Sequence, residues 1–272
     1  GDHRDLHLSI RRQRQMCIRD RNSGHADGST VANSFIAAAR TLGVDVRIGT
    51  EALGLTTNHD KITGVETSEG MISAGTVIVE AGFRTSALLE PHGIDLPITP
   101  VRHAIAVIKR TQDFGEFHPV VSDRVARAYY RPEAQNLALL GEHDPLRGPV
   151  DEDVELAKPP EMDEQVSLMQ RFSHRFPGQD SASMMRGYTG VYDCSPDFQP
   201  AFGKTEALDG LFVGAGFSGH GFKLSPGIGK ILSDLVVDGS TDMIDVSPFR
   251  VERFAEDDLL LGGEGYANRS LA

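Results

Sequence analysis

A cluster of glycines followed by a lysine is the part of this sequence best suited to chemistry. It lies in GLFVGAGFSGHGFKLSPGIGKIL (210–232) and contains the spacing GxGxxG at 214–219; residues 214–221 are called the glycine turn below. In dinucleotide-binding proteins this spacing leads a strand into a helix that holds a pyrophosphate, and the helix opens at the third glycine. Here Ser225 is a natural helix cap and Pro226 suits the first helical position, so we predict a later helix start. We predict no second strand and helix after this helix. Because of both differences, the GxGxxG spacing does not indicate a phosphate-binding turn here.

A second use for such a turn is close approach to a flat ring. Glycine has no Cβ, so the main chain can lie directly against a planar surface. The helix that follows would point N–H groups and the positive end of its dipole at the same place. That arrangement favours an electron-rich ring edge, such as the negatively charged edge of a reduced flavin. The alternative left open is a glycine turn that only packs tightly against a strand.

The overall composition excludes several classes of protein. The chain has 272 residues, of which 39% are hydrophobic and 24% charged, and its net charge is −12. Contacts with nucleic-acid phosphates or anionic lipids need a cationic face, so neither partner is expected. No apolar run approaches the roughly 18 residues needed to cross a bilayer. The two cysteines stand far apart without a CxxC motif, which predicts a reducing, cytoplasmic location and no thiolate metal site.

The elements before residue 98 indicate part of an α/β nucleotide-binding domain. We interpret residues 1–25 as a leader that is either non-native or a disordered basic arm. A helix capped by Ser29 or Thr30 follows and ends at Gly43. Further predicted elements are a strand over 44–48, an antiparallel meander over 52–73 and a buried strand over 76–79. This is the second half of such a domain, and we expect the first half to lie upstream of it.

Beyond residue 98 the pattern changes to alternating, β-branched and aromatic residues. It predicts an antiparallel sheet with one covering helix over 161–175. We place this second domain at 98–199 and assign 26–97 and 200–248 to the nucleotide-binding domain. Residues 249–272 are predicted to form a tail.

Five separated stretches resemble the D-amino acid oxidase superfamily, nearest the branch of sarcosine oxidases, glycine oxidases and dimethylglycine dehydrogenases. The glycine turn and its continuation are similar to the family's GxGxSGHGFKxSPxxG. The other stretches, in chain order, are ADG with its helix and GVDVRIGT, the EAG turn, PVR, and GVYDCSPDFQPAFG. The resemblance spans Ala26 to about Phe254. It implies an α/β fold: the distal part of an FAD-binding Rossmann-like domain with an inserted antiparallel β-sheet substrate domain.

The resemblance also implies a non-covalently bound FAD and the residues that meet it. Lys223 is implied to act in catalysis beside the flavin and the substrate carboxylate, because a cation there holds an anionic substrate and stabilises the reduced ring. A solvated surface lysine is the alternative. Ser218 and His220 are left open between contact with the ring and contact with the turn's own main chain. The implied cofactor-binding residues are Ala52, Gly82, Gly190, Gly216, Phe217, Ser218, Gly219, His220, Gly221, Phe222 and Lys223.

Other implied positions concern the substrate and the flavin attachment. Tyr130 and Arg131 lie on a strand that borders the substrate pocket in relatives, so they join Lys223 as implied substrate-binding residues, with core packing as the alternative for a tyrosine. Gly190 occupies the position at which monomeric sarcosine oxidases have the cysteine attached to flavin, which excludes covalent attachment there. Asp193 is implied to lie close to the flavin or to cap the SPD turn after it.

The implied function is oxidation of the C–N bond of an amino acid or N-methylated amine by hydride transfer to the flavin. Two alternatives stay open: a non-catalytic FAD-binding subunit of a larger oxidoreductase, and a non-enzymatic α/β binding module. A homo- or hetero-oligomer is compatible with each. The chain has no tryptophan, unlike the family, and an arginine that binds substrate in several relatives is expected upstream. The substrate is therefore not implied, and we expect this chain alone to bind FAD weakly and to be inactive.

Overall fold

The computed structural model describes residues 24–114, 119–123, 125–142, 150 and 158–260. The chain divides into two compact units. The first, called the glycine-turn unit, comprises, among the described residues, Ala26–Pro100 and 192–260. The second, called the sheet unit, comprises Val101–Val191. Most of the predicted leader, residues 1–23, lies outside the described residues.

Helices and strands alternate along the described ranges. The α-helices are α1 (Gly28–Thr41), α2 (Thr85–Leu89), α3 (Met162–Arg175) and α4 (Gly221–Val237). The strands are β1 (Ala52–Asn58), β2 (Lys61–Thr67), β3 (Gly70–Ser73), β4 (Val77–Val79), β5 (Thr99–Lys109), β6 (Val121–Asp123), β7 (Ala128–Glu133), β8 (Leu137–Glu142), β9 (Ser183–Cys194), β10 (Ala201–Lys204) and β11 (Leu211–Ala215). Short 3₁₀ helices cover Gly82–Arg84, Glu90–His92, Gln112–Phe114, Ser247–Phe249 and Val251–Phe254.

The glycine-turn unit contains an antiparallel meander and a mixed sheet. β1, β2 and β3 form the meander, as predicted. In the mixed sheet β11 is central, antiparallel to β10 and parallel to β4. All five residues of β11 are buried, as expected of an apolar strand covered on both faces. The glycine turn therefore leaves the buried centre of this sheet.

Apolar side chains cover both faces of the mixed sheet. Leu211 and Val213 of β11 join one cluster together with Ala201 of β10. The next residue of β10, Phe202, points to the opposite face and packs against α4. The buried members contributed by α4 are Ile228, Ile231 and Leu232. Burying each such side chain stabilises the fold by about 1.5–3 kcal/mol, so both ends of the glycine turn are firmly held.

The start of the glycine-turn unit differs from the sequence prediction in two places. Asp27 caps α1 and accepts a hydrogen bond from the N–H of Thr30 at 2.7 Å, so the predicted caps Ser29 and Thr30 are wrong. The helix ends just before Gly43, whose φ of +88° suits glycine. The strand predicted over 44–48 is irregular instead. None of the described strands pairs with it, and an apolar run with no neighbouring strand has no ladder to join.

The sheet unit is an antiparallel sheet covered by α3, as predicted. Its strand order is β6-β7-β8-β5-β9. Leu168 and Phe172 of α3 are buried against one face of it. Glu161 and Glu164 form a reciprocal capping box at the start of α3. Glu164 also pairs with Arg102 of β5, with Nη1 2.6 Å from Oε1, which gives that arginine a structural role.

Replacing Gly210 by Ala should destabilise the chain by about 1–3 kcal/mol. Gly210 precedes β11 with φ +84°, and a Cβ there would overlap the carbonyl oxygen of Gly75, which belongs to the main chain and cannot rotate away. Urea unfolding monitored by circular dichroism measures the change. Gly229→Ala is the matched control, because that helical glycine has open space around its Cβ position and alanine there should stabilise the helix by about 0.5–1 kcal/mol. Equal midpoints for the two variants would contradict the prediction.

Candidate functional site

The glycine turn joins β11 to α4 and has an inner and an outer half. Gly216 and Ser218 are buried, whereas Gly219 is exposed. Phe222 and Lys223, in the first turn of α4, are exposed as well. The inner half is therefore anchored in the glycine-turn unit, and the outer half is the part available to a ligand.

The helix after the turn starts earlier than predicted. α4 begins at Gly221, four residues before Ser225. Pro226 lies inside the helix and has no N–H to donate to the carbonyl oxygen of Phe222, its partner four residues earlier. The hydroxyl of Ser225 donates to that oxygen instead, at 3.0 Å. The predicted start is wrong because this serine and proline together satisfy a carbonyl within the helix rather than mark its beginning.

Protein side chains crowd three glycines of the turn, two in its inner half and Gly219 in its outer half. A Cβ on Gly216 would lie 2.9 Å from Cδ1 of Ile98, and one on Gly219 would lie 2.9 Å from Cε2 of Tyr192. Gly214 is crowded in the same way by the carboxylate that follows β4. Tight packing within the unit, the alternative left open by the sequence, is therefore correct for this side of the main chain. Contact of the turn with a flat ring stays a prediction, and it would use the other side of the main chain.

Asp193 braces the inner half of the turn. Its Oδ2 accepts hydrogen bonds from the N–H groups of Gly216 at 2.9 Å and Phe217 at 3.1 Å. Its main-chain oxygen accepts from the N–H of Ser218 at 3.1 Å. Burial raises the pKa of the Asp193 carboxyl, and the N–H donors offset that rise only in part. Asp193 thus holds the glycine turn rather than capping the SPD turn.

Replacing Asp193 by Asn should change how stability depends on pH. Because the pKa of Asp193 is raised in the folded state, its ionised form opposes folding at neutral pH, and that cost vanishes as the pH falls through the raised pKa. Asn keeps an acceptor oxygen and does not ionise. In urea unfolding, the stability of the wild type relative to Asp193→Asn should rise between neutral pH and the ordinary carboxyl pKa of 3.8. A difference that stays constant over this range would refute the prediction.

The Ser218 side chain lies within the turn and is fully buried. Its hydroxyl donates to the carbonyl oxygen of Gly216 at 3.1 Å and accepts from the N–H of Ser195 at 3.2 Å. Of the two roles left open for Ser218, contact with the protein's own main chain is the one that the structure shows. Any contact of this residue with a cofactor would use its main chain.

The outer half of the turn runs into the start of α4, where the side chain of the N-cap residue makes no capping bond. α4 has 17 residues, and its N-cap, His220, makes no side-chain capping bond. Phe222 is 51% exposed. Lys223 is exposed, yet partial burial of its ammonium group lowers its pKa below the ordinary lysine value. A helix start and a cation side by side favour a negatively charged or electron-rich group.

Two further implied cofactor residues belong to the same unit. Gly82 follows β4 with φ +57°, and no atom lies within 4 Å of the place where its Cβ would be. Its main chain is therefore open to approach by a ligand. Ala52, the first residue of β1, is exposed. Neither residue is engaged in the packing that closes the inner half of the turn.

Tyr130 is a core residue of the sheet unit. It is fully buried, its ring lies 6.2 Å from that of Phe172, and its hydroxyl donates to the main-chain oxygen of Arg171 at 3.2 Å. Burial raises the pKa of the phenol to about 12. The implied role of Tyr130 in substrate binding is corrected, because the side chain faces α3 within the apolar core.

Arg131 and Gly190 also lie in the sheet unit. Arg131 faces away from Tyr130 along β7, and its Nε donates to Oε1 of Glu133 at 2.7 Å. Its guanidinium therefore already has a carboxylate partner. Gly190 lies in β9 with open space at its Cβ position. Both stay predictions as ligands, and the candidate site below is built on the glycine-turn unit alone.

Cys194 is buried beside Asp193 and is not suited to covalent chemistry. Burial, with a smaller contribution from the Asp193 charge, raises the pKa of its thiol to about 12. The reactive form of cysteine is the thiolate, which such a pKa suppresses at neutral pH. The geometry gives this residue a packing role.

A buried ion pair that the sequence did not predict lies near the end of the described chain. Arg253 lies beyond the predicted domain boundary at 248, yet it is fully buried, as is nearly all of Val251. Its guanidinium pairs with Asp197, the aspartate of the SPD stretch. The SPD stretch was the only indication of this ion pair in the sequence. It did not identify Arg253, 56 residues away, as the partner of Asp197.

Two other features are absent from the described ranges: a membrane-spanning helix and a metal-binding cluster. None of their helices combines the length and apolarity needed to cross a membrane. They also contain no group of three or more His, Cys, Asp and Glu side chains arranged to hold a metal ion.

Comparison with known proteins gives one family match that covers most of the chain. The family described as DAO, FAD dependent oxidoreductase, matches residues 7–235. Among solved structures, L-proline dehydrogenase from P. horikoshii is 24% identical with a TM-score of 0.76, over 84% of this chain and 60% of that one. Glycine oxidase from Geobacillus kaustophilus is 23% identical with a TM-score of 0.72, over 82% and 57%. These likenesses confirm the predicted mixed α/β fold.

Two relatives are 30% identical to this chain. One is 4-methylaminobutanoate oxidase (formaldehyde-forming) from Paenarthrobacter nicotinovorans, matched over 86% of this chain and 28% of that protein. The other is D-amino acid dehydrogenase from Xanthobacter autotrophicus, matched over 79% and 49%. The chain thus spans less than half the length of either relative. Because the family match covers well over half of its residues, the chain belongs to the DAO family of FAD-dependent oxidoreductases.

Proposed function

We propose that this chain forms part of an enzyme that oxidises the C–N bond of an amino acid or an N-methylated amine, with non-covalently bound FAD. When bound, FAD supplies the chemistry by accepting a hydride from the carbon next to the nitrogen. The observation that carries the proposal is the outer half of the glycine turn, in which Gly219 is exposed and which leads directly into the start of α4, with the exposed Lys223 in the first turn of that helix.

The described residues fit a flavin on this outer side only. The start of α4 supplies main-chain N–H groups and a positive dipole end, which favour the electron-rich edge of the ring. Gly219, Gly221 and Phe222 would contact the ring through their main chain, and Gly82 would contact the remainder of the cofactor. The inner half is closed to it, because Asp193 and Ile98 already occupy that side.

Lys223 would hold the anionic end of the substrate. A carboxylate is the ordinary partner of an ammonium group, and the pairing strengthens where both are partly removed from water. The names of the two relatives, one acting on a methylated amine with a carboxylate and one on D-amino acids, support a small carboxylated amine as the substrate class. Cys194 supports non-covalent attachment, since its thiol is buried and protonated.

Titration with FAD, followed by flavin fluorescence and by amide hydrogen exchange, tests the proposal. We expect weak binding to this chain alone, which spans less than half the length of either relative. At high FAD concentration, amides of the segment 219–223 should exchange more slowly while those of the β1–β2 hairpin stay unchanged. Protection confined to other segments would contradict the proposed site, and tight binding would contradict the predicted affinity.

A further inference from the structure

Arg253 and Asp197 form a buried, extensively hydrogen-bonded ion pair in the glycine-turn unit. Both side chains are fully buried. Nε of Arg253 donates to Oδ2 of Asp197 at 3.0 Å and Nη2 donates to Oδ1 at 3.1 Å, the two-pronged geometry that gives such pairs directional strength. The remaining guanidinium N–H groups donate to main-chain oxygens of Phe249, Arg250 and Gln199. Arg253 is therefore fixed in position as well as in charge.

Asp197 passes this constraint on to the loop after β9. Besides Arg253, its carboxylate accepts hydrogen bonds from the N–H of Gln199 and the N–H of Leu260, each at 3.1 Å. The hydroxyl of Ser195 lies 3.1 Å from Asp197 Oδ1 and 2.7 Å from the carbonyl oxygen of Gln199. The carboxylate thus ties the loop over 195–199 to the last described part of the chain.

Ser195 connects the loop to the glycine turn. Its N–H donates to Oγ of Ser218 at 3.2 Å, and the two hydroxyl oxygens lie 3.4 Å apart. Ser218 in turn donates to the carbonyl oxygen of Gly216. Ser218 has φ +50°, in a region that non-glycine residues seldom adopt and that persists only where the surroundings enforce it. Together with the bonds to Asp193, this chain of hydrogen bonds therefore holds the turn in its conformation.

We propose that Arg253 is a positioning residue, which acts through Asp197, Ser195 and Ser218 to set the glycine turn, and with it the start of α4, in the shape that receives the flavin. This rests on the proposed function for its biological meaning, although the effect on the turn can be measured without cofactor. Arg253 lies outside the residues matched by the family.

A neighbouring arginine supplies a matched control. Arg250 belongs to the same segment and also pairs with two carboxylates, those of Glu256 and Asp258. Those bonds are exposed to solvent, and no bond to the 195–199 loop is among them. Arg250→Lys therefore reproduces the chemical change of Arg253→Lys without touching the proposed connection.

Amide hydrogen exchange of the cofactor-free chain tests the proposal. Lysine keeps the charge next to Asp197 but cannot reproduce the two-pronged bond. In Arg253→Lys we expect amides of the segment 214–222 to exchange about tenfold faster, the effect of losing one ordinary hydrogen bond. The β1–β2 hairpin should be unaffected, and Arg250→Lys should match the wild type throughout. The positioning role would be overturned if the exchange rate of the turn amides stayed unchanged in Arg253→Lys. It would also be overturned if the exchange of the turn and of the β1–β2 hairpin accelerated equally.

A second variant tests the route. Ser218→Ala removes the hydroxyl through which the turn is connected, so it should accelerate exchange over 214–222 by itself. When Ser218→Ala is already present, Arg253→Lys should cause no further increase in the exchange rate over 214–222, because the two residues act in series. Additive effects would show that Arg253 does not act through Ser218. Failure of FAD to protect 219–223 in the wild type would instead count against the proposed function and leave the exchange result standing.

Discussion

Replacing Lys223 by Met is expected to slow reduction of FAD by an amine substrate by about 100-fold, the usual effect of removing one preorganised electrostatic group. Met has a similar length but no charge, so it neither binds a carboxylate nor stabilises the reduced ring. The measurement is anaerobic stopped-flow absorbance of the FAD-loaded full-length protein, carrying the same substitution, mixed with a carboxylated amine.

Lys230→Met is the control for this experiment. Lys230 lies two turns further along α4, is exposed and pairs with Asp234, so its loss should leave flavin reduction unchanged. If Lys223→Met reduced the flavin as fast as the wild type, the role of Lys223 would be refuted. A flavin that binds but is not reduced by amines in the wild type would favour the non-catalytic FAD-binding subunit.

The pH dependence of the same reaction follows from the lowered pKa of Lys223. Partial burial disfavours the ammonium form, so this lysine loses its proton at a lower pH than the ordinary value of 10.5. Any step that needs the cation should decline as the pH rises through that lowered pKa. The decline should be absent in Lys223→Met, which has no group to titrate there.

Replacing Arg253 by Met should destabilise the chain by about 3–5 kcal/mol, because it leaves the buried Asp197 carboxylate without its counter-charge. The loss is expected to exceed that of other single substitutions in this unit, since five donors converge on or around this carboxylate. Urea unfolding, with the slope checked for two-state behaviour, measures it. Arg250→Met should leave the midpoint unchanged, because exposed ion pairs contribute little. Similar midpoints for both variants would count against the prediction.

The ionisation of Asp197 should also determine how the free energy of unfolding changes at acid pH. Burial raises the pKa of this carboxyl, but the hydrogen bonds from Arg253, Leu260 and Gln199 outweigh that effect, and the pKa is lowered on balance. The stabilisation is then fully present above the ordinary carboxyl pKa of 3.8 and is lost as the pH falls through the lowered value. In Arg253→Met the acid transition should move to higher pH.

Local patterns predicted most of the fold. The meander over 52–73 follows from alternating side chains, the covering helix over 161–175 from its 3.6-residue period, and the buried strand before the glycine turn from its continuous apolar run. The family resemblance was likewise carried by short contiguous motifs. Each of these signals lies within one element, where spacing alone decides which side chains share a face.

The predictions that were wrong share a different cause. Ser225 and Pro226 are typical of a helix start, but they lie inside α4. The Ser225 hydroxyl donates to the carbonyl oxygen to which Pro226, having no N–H, cannot donate. The family resemblance implied that Tyr130 borders the substrate pocket, with core packing as the alternative. In the structure its side chain is fully buried in the core. Both outcomes depend on which neighbours the fold provides.

The sequence by itself determined that a strand, a bare turn and a helix lie in succession, with a lysine at the helix start. Only the tertiary structure decided that the N–H groups of the inner half of the turn, starting with Gly216, bond to Asp193 and that the buried Arg253 pairs with Asp197. Those partners are separated by 23 and 56 residues. Pairings over such distances arise when strands and loops are brought together by burial of the core, and local spacing carries no information about them.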